Sequence, residues 1–145
     1  MPSNNKTTRS HRSWPVPMEV KRNRIEGRGL FTKVPLRARQ RIGEFTGERI
    51  SQHKGRRRAK TQKWIAILEL NHKRGIDAAK KTAGFRFVNH CCSPNTFMRI
   101  IVERAAFYAL HGTRAGTELT VDCHPSHHNG TLPCKYGSAV CRGIL

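Results

Sequence analysis

The chain has 145 residues and sets 28 Lys and Arg against nine Asp and Glu, a net charge of +19. That length suits one domain with a modest core. No run reaches the ~18 apolar residues of a membrane span, and the polar N-terminus lacks the apolar stretch of a secretory signal. The expected setting is therefore intracellular, cytoplasmic/nucleoid or nuclear, with no membrane partner. All nine acids lie between Glu19 and Asp122, so both ends are purely basic. A field of this sign attracts nucleic acid or nucleoprotein.

Residues 1–17 read as a disordered basic tail, rich in Ser, Asn and Thr. Order is expected from Met18. Glu19-Val20-Lys21 alternates like a half-buried strand. Gly27-Arg28-Gly29 then reads as a turn, with Leu30-Phe31 opening a second strand, and Arg41 to Thr46 as a strand ending at Gly47. Residues 52–63 carry six basic side chains and no acid, with Ala59 the sole apolar residue. The expectation is a solvated helix or mobile insert with no face to bury, serving either as a phosphate-binding patch or as a plain solvated face. Trp64 to Leu70 reads as a buried strand and Ile76 to Ala78 as a short one. Thr96–Val102 and Ala105–Leu110 form a hairpin turning near Glu103-Arg104, and Leu119 to Val121 closes the series. Many short strands and few helices mean a mostly β fold.

Three segments carry the chemistry: FRFVNHCCSPN (Phe85 to Asn95), ELTVD (Glu118 to Asp122) and the terminal CKYGSAVCRGIL (Cys134 to Leu145). In this order, after EGRGLFTKVPLRARQRIGEFTGERIS, they resemble the SET domain of protein-lysine methyltransferases. The resemblance covers roughly residues 18 to 145. It implies small β-sheets with a C-terminal pseudoknot, a SET domain over 18–123 with a variable basic insert near 52–74, and a post-SET-like tail over 124–145. It also implies S-adenosyl-L-methionine as cofactor and a protein partner with an exposed lysine, histone-like tails being the family default. Carried over residue by residue, the cofactor-binding positions are Gly27, Arg28, Gly29, Leu30, Asn89 and His90. Arg86 lies next to the pocket, and Trp64 lies where an aromatic residue often covers the cofactor. Glu118 and Asp122 read as structural hydrogen-bonding groups.

The chain departs from the family at its candidate catalytic positions. Cys123 follows Asp122 where the family has a pore tyrosine, and Phe45 replaces a frequent tyrosine. In the tail, the family motif implies zinc held by Cys92, Cys134, Cys141 and a fourth ligand at residue 136, which here is Tyr136. Three readings stay open. Cys123 and Tyr136 have exchanged roles, so that Cys123 completes the zinc site and the Tyr136 hydroxyl serves the lysine channel. Alternatively His124, His127 or His128 supplies the fourth ligand. Otherwise no zinc binds. Cys91 is a poorer candidate, because neighbouring side chains on extended backbone point apart.

Two functions follow. One is an S-adenosylmethionine-dependent protein-lysine methyltransferase. The other is a catalytically weak or inactive SET-fold module that binds nucleic acid or nucleoprotein through its basic surface.

Overall fold

The computed structural model describes residues 16–23, 27–61, 66–80 and 84–122. Among them run ten short strands, one α-helix and one 3-10 turn. The strands are β1 (Met18–Asn23), β2 (Gly27–Thr32), β3 (Arg41–Phe45), β4 (Glu48–Ser51), β5 (Ile67–Glu69), β6 (Arg74–Asp77), β7 (Asn89–His90), β8 (Thr96–Ile101), β9 (Arg104–Ala109) and β10 (Thr120–Val121). Helix α1 is Gln52–Thr61 and the 3-10 turn is Phe85–Phe87. The strands make four small sheets: β1–β2, β3–β9–β8 and β4–β6–β5, all antiparallel, and the parallel pair β7–β10. The mostly β expectation holds.

The main core gathers Leu30, Leu36, Ile42, Phe107 and Leu119 with Phe85, whose ring stacks on Phe107 at 4.4 Å. A smaller cluster of Leu70, Ile76 and Ala105 lies beside it, and Phe45 and Met98 pack against both. No sheet here is large enough to bury a face alone, so these side chains hold the sheets together.

Four local expectations need correction. Gly27 to Gly29 do not form the turn. They are the paired start of β2, opposite Asn23, Arg22 and Lys21. Glycine in a strand marks a close approach by another group, and at Gly29 that group is a carboxylate. Within the described part of the segment expected as a buried strand, β5 is partly buried and paired to β6; Trp64 itself lies outside the described residues. The hairpin turns at Val102-Glu103, one residue earlier than expected, with φ of 49° and 59°. Both residues take the left-handed geometry that matches strand twist in a tight hairpin, and neither is the glycine or asparagine that advertises it.

Helix α1 does bury a face, against expectation. Gly55 is buried, and a Cβ there would meet Ile50 at 3.3 Å and Ile67 at 3.5 Å. Ser51 Oγ accepts the Lys54 backbone N–H at 3.1 Å, a side-chain N-cap. Arg58 turns inward, donating to Asp77 at 2.7 Å and Glu48 at 2.8 Å. The Asp77 side chain is 3% exposed, so its charge needs this partner. The Glu48 carboxyl is held below its ordinary value chiefly by the hydrogen bond from Arg58, which outweighs the opposing effect of burial, with smaller help from the charges of Arg58 and Lys54. A missing side chain and an ion pair seat the helix, and a count of apolar residues registers neither.

The β4–β6 sheet leaves no room beside Gly47. A Cβ there would strike the Asp77 carbonyl oxygen and lie 2.7 Å from its carbon. This backbone is held in the strand pairing Glu48↔Asp77 and cannot retreat. Gly47→Ala is therefore expected to lower unfolding stability by about 3 kcal/mol, the upper end for overpacking. Urea denaturation checks this, and a loss under about 0.5 kcal/mol, the usual surface range, contradicts it.

Candidate functional site

Strand β10 and the residue before it knit the two expected cofactor segments together. Leu119 N–H donates to the Leu30 carbonyl at 2.7 Å, and Phe31 bridges Glu118 on the β2 side. On the other side Thr120 pairs with Asn89 and Val121 with His90, and Cys91 N–H donates to the Val121 carbonyl at 3.0 Å. The glycine strand and the Asn-His strand thus flank one short central segment. The covering C-terminal loop of the expected pseudoknot lies outside the described residues.

Glu118 closes this arrangement. Its Oε1 accepts from Asn23 Nδ2 at 2.5 Å and its Oε2 from Asn89 Nδ2 at 3.1 Å. Asn89 Nδ2 also donates to the Arg28 carbonyl at 2.8 Å, which ties β7 directly to the glycine strand. Gly29 makes room for the carboxylate, since a Cβ there would lie 2.7 Å from Oε2. Gly27, at φ +89°, is open among the described residues: an added Cβ would meet none of them within 4 Å. Glu118 therefore has the structural hydrogen-bonding role expected of it.

Beneath, Asn95 works as a second clasp. Its Nδ2 donates to the Glu118 carbonyl at 2.8 Å and its Oδ1 accepts from Thr120 N–H at 2.9 Å, while Thr96 Oγ1 donates to the Thr120 carbonyl at 2.6 Å. These bonds are sheltered, so each is costly to leave unmade.

His90 is buried, its side chain 4% exposed. Its Nε2 lies 3.4 Å from Cys92 Sγ and its Nδ1 3.8 Å from Asp122 Oδ1. Arg86 Nη1 donates to the Ala79 carbonyl at 2.5 Å, and its guanidinium lies over the Phe87 ring at 4.9 Å. It clamps the chain leaving β6. Phe45, at the end of β3, borders a cavity of about 140 Å³ with Ile76, Glu44, Arg49 and Arg104. Glu44 and Arg104 pair at 2.7 Å on its rim.

Cys91 and Cys92 diverge as expected. Cys91 is buried and its Sγ meets the Ser93 backbone at 3.4 Å, whereas Cys92 is partly exposed and sits beside His90. Among the described residues no group of three or more His, Cys, Asp or Glu could hold a metal. Cys123, Tyr136, Cys134 and Cys141 lie outside them, as do His124, His127 and His128. Asn23 was missed from sequence, because a lone asparagine before a turn reads as a turn residue. Asn95 stood within the quoted motif, but its pairing with the Glu118 segment carries no local signal.

The SET-domain family profile matches residues 27–124, a stretch that includes β2, β7 and β10. The chain belongs to the SET-domain family. It is 33% identical over 141 residues to a protein of Eremothecium gossypii named "Histone-lysine N-methyltransferase, H3 lysine-4 specific", covering 89% of this chain and 14% of the relative. The Saccharomyces cerevisiae protein of the same name is also 33% identical over 141 residues, covering 89% of this chain and 13% of the relative. The human "Histone-lysine N-methyltransferase SETD1A" is 31% identical over 133 residues, covering 86% of this chain and 8% of the relative. The chain thus spans a small fraction of the length of these relatives.

The contact between Gly29 and Glu118 makes a direct test of the SET-domain junction. Gly29→Ala forces the carboxylate away from its two asparagine partners. The expected cost is about 1–3 kcal/mol in unfolding stability, the range for hydrogen bonds to a charged group. Denaturant titration reads it, and wild-type stability would show that the carboxylate is not held in place.

Proposed function

We propose that this SET domain transfers a methyl group from S-adenosyl-L-methionine to the lysine amine of a protein substrate. The observation that carries the reading is the joining of Gly27–Leu30 to Asn89–His90 through the Asn89 amide and the Arg28 carbonyl. The names of the relatives support the same reaction class and a histone as substrate. A histone-like substrate in turn supports action in the nucleus or nucleoid.

The residues fit the cofactor. Gly27 leaves open space beside a backbone-lined strand, and glycine lets a ligand approach the main chain closely. Gly27, Arg28, Gly29, Leu30, Asn89 and His90 would hold it, with Arg86 fixing the neighbouring chain and Trp64 contributing from the insert. Bound S-adenosyl-L-methionine supplies a methyl group made electrophilic by its cationic sulfur.

The protein's share is binding, alignment and amine deprotonation. A free lysine with pKa near 10.4 costs roughly 4 to 5 kcal/mol to neutralise at pH 7, and an apolar channel lowers that cost by desolvating the ammonium. Alignment of the amine supplies much of the remaining acceleration. Phe45, Tyr136 and, where a histidine completes the zinc site, Cys123 are the proposed channel positions. A channel short of one oriented hydroxyl turns over about 10² to 10³ more slowly, by analogy with loss of a single preorganised donor. Zinc held by Cys92, Cys134 and Cys141, with a fourth ligand from Cys123 or a histidine, would anchor the post-SET-like tail over this channel.

Transfer of labelled methyl groups to histones and other basic proteins tests the proposal. Wild type is expected to label a lysine at a slow rate, Asn89→Ala to lose at least tenfold in donor affinity by calorimetry, and the purified protein to carry one zinc per chain. Donor binding without transfer would favour the inactive module, and no donor binding by folded protein would remove both readings.

A further inference from the structure

Helix α1 has two faces of opposite character. Gly55 is buried and Arg58 and Ala59 are partly covered. At about 100° per residue, His53, Arg56, Arg57 and Lys60 fall in one arc on the other side, and all four are exposed. Arg56 reaches Glu69 only at 4.0 Å, and no carboxylate among the described residues pairs with Arg57 or Lys60. The helix start adjoins another basic stretch, since Gln52 N–H donates to the Lys73 carbonyl at 2.9 Å and His72 and Lys73 are exposed.

This row works against the helix that bears it. Arg56 and Lys60 are spaced i,i+4 and Arg57 and Lys60 i,i+3, where like charges destabilise. A polyanion laid along the arc would remove that repulsion. The arc holds no apolar residue, whereas recognition of a peptide side chain by a pocket or groove uses apolar contact. Repeated cations along a rigid rod of about 15 Å suit sequence-independent contact with phosphates.

We propose that the exposed face of α1, formed by Arg56, Arg57 and Lys60 with Lys73 at its start, docks on the phosphate backbone of duplex DNA. The inference is independent of methyl transfer. It rests on the geometry and charge of the helix, and a protein that bound no methyl donor would still show it.

Fluorescence anisotropy of the full chain with a mixed-sequence duplex of about 20 base pairs, between about 50 and 200 mM salt, tests it. The triple variant Arg56→Ala, Arg57→Ala, Lys60→Ala should flatten the slope of log affinity against log salt by about 2 to 3, near 0.9 per phosphate contact. Affinity at the lowest salt should fall more than tenfold. The control Lys33→Ala, Arg37→Ala, Arg114→Ala removes the same formal charge from exposed residues elsewhere and should leave the slope within about 0.5 of wild type, no full phosphate contact being lost. The α1 variant should melt at or above the wild-type temperature, because alanine favours helix and the repulsion is gone. The Gln counterpart of the α1 triple gives the same reading should the Ala form fail to fold. Equal losses in both triples would overturn the proposal in favour of a diffuse field. Displacement of the duplex by a polyglutamate peptide of equal charge and concentration would overturn it in favour of an acidic-peptide site, and absence of binding by wild type at the lowest salt would overturn it outright.

Discussion

One carboxylate sets the geometry of the site. Glu118 stands between β2 and β7, takes a hydrogen bond from an asparagine on each side, and fills the space that Gly29 leaves beside the strand. A hydrogen bond to an ionised acceptor is worth roughly twice a neutral one, so this small junction is stiffer than its size suggests. The parallel pair β7–β10 has only two residues on each strand and would hold little by itself. The side-chain bonds of Asn95, Thr96 and Thr120 below it, with Glu118 above, make up the difference. The result is a glycine strand open at Gly27 and fixed at Gly29, with Asn89 and His90 placed against it.

The second constraint is charge. A chain at +19 has few acids with which to anchor its cations, and several of those acids are committed to local pairs. Glu48 and Asp77 hold Arg58 and so seat α1; Glu44 holds Arg104, whose guanidinium is thereby kept charged to still higher pH; Glu103 meets Arg74. What is left over is carried outward, most densely on α1. A lysine-rich substrate tail alone would be repelled by such a surface. A substrate presented on a polyanionic scaffold would meet it with attraction, so the basic insert and the proposed histone-like substrate are compatible.

The elements built on alternation and the quoted motifs were legible in the sequence: β1, β3, the β8–β9 hairpin and the strand at Leu119 to Val121 fall near where the pattern puts them. So was the grouping of Gly27–Leu30 with Asn89 and His90, which came through family resemblance and needed no reading of side-chain contacts. The seating of α1 was not legible, because glycine and arginine leave no apolar stripe. The turn at Val102-Glu103 was hidden because neither residue favours positive φ. The roles of Asn23 and Asn95 depend on partners 95 and 23 residues away, a separation no local pattern encodes. The hydrogen-bonding role of Glu118 was legible too, since no second group marked it as half of a catalytic pair.

The most direct measurement is a double-mutant cycle on Asn89 and Glu118, using Asn89→Ala, Glu118→Gln and the double variant, read by calorimetric affinity for S-adenosyl-L-methionine. Groups that share a hydrogen bond couple by about 0.5–3 kcal/mol. A coupling in that range is what a cofactor cradle held together by this pair predicts. Additive effects on donor affinity in well-folded variants would contradict it.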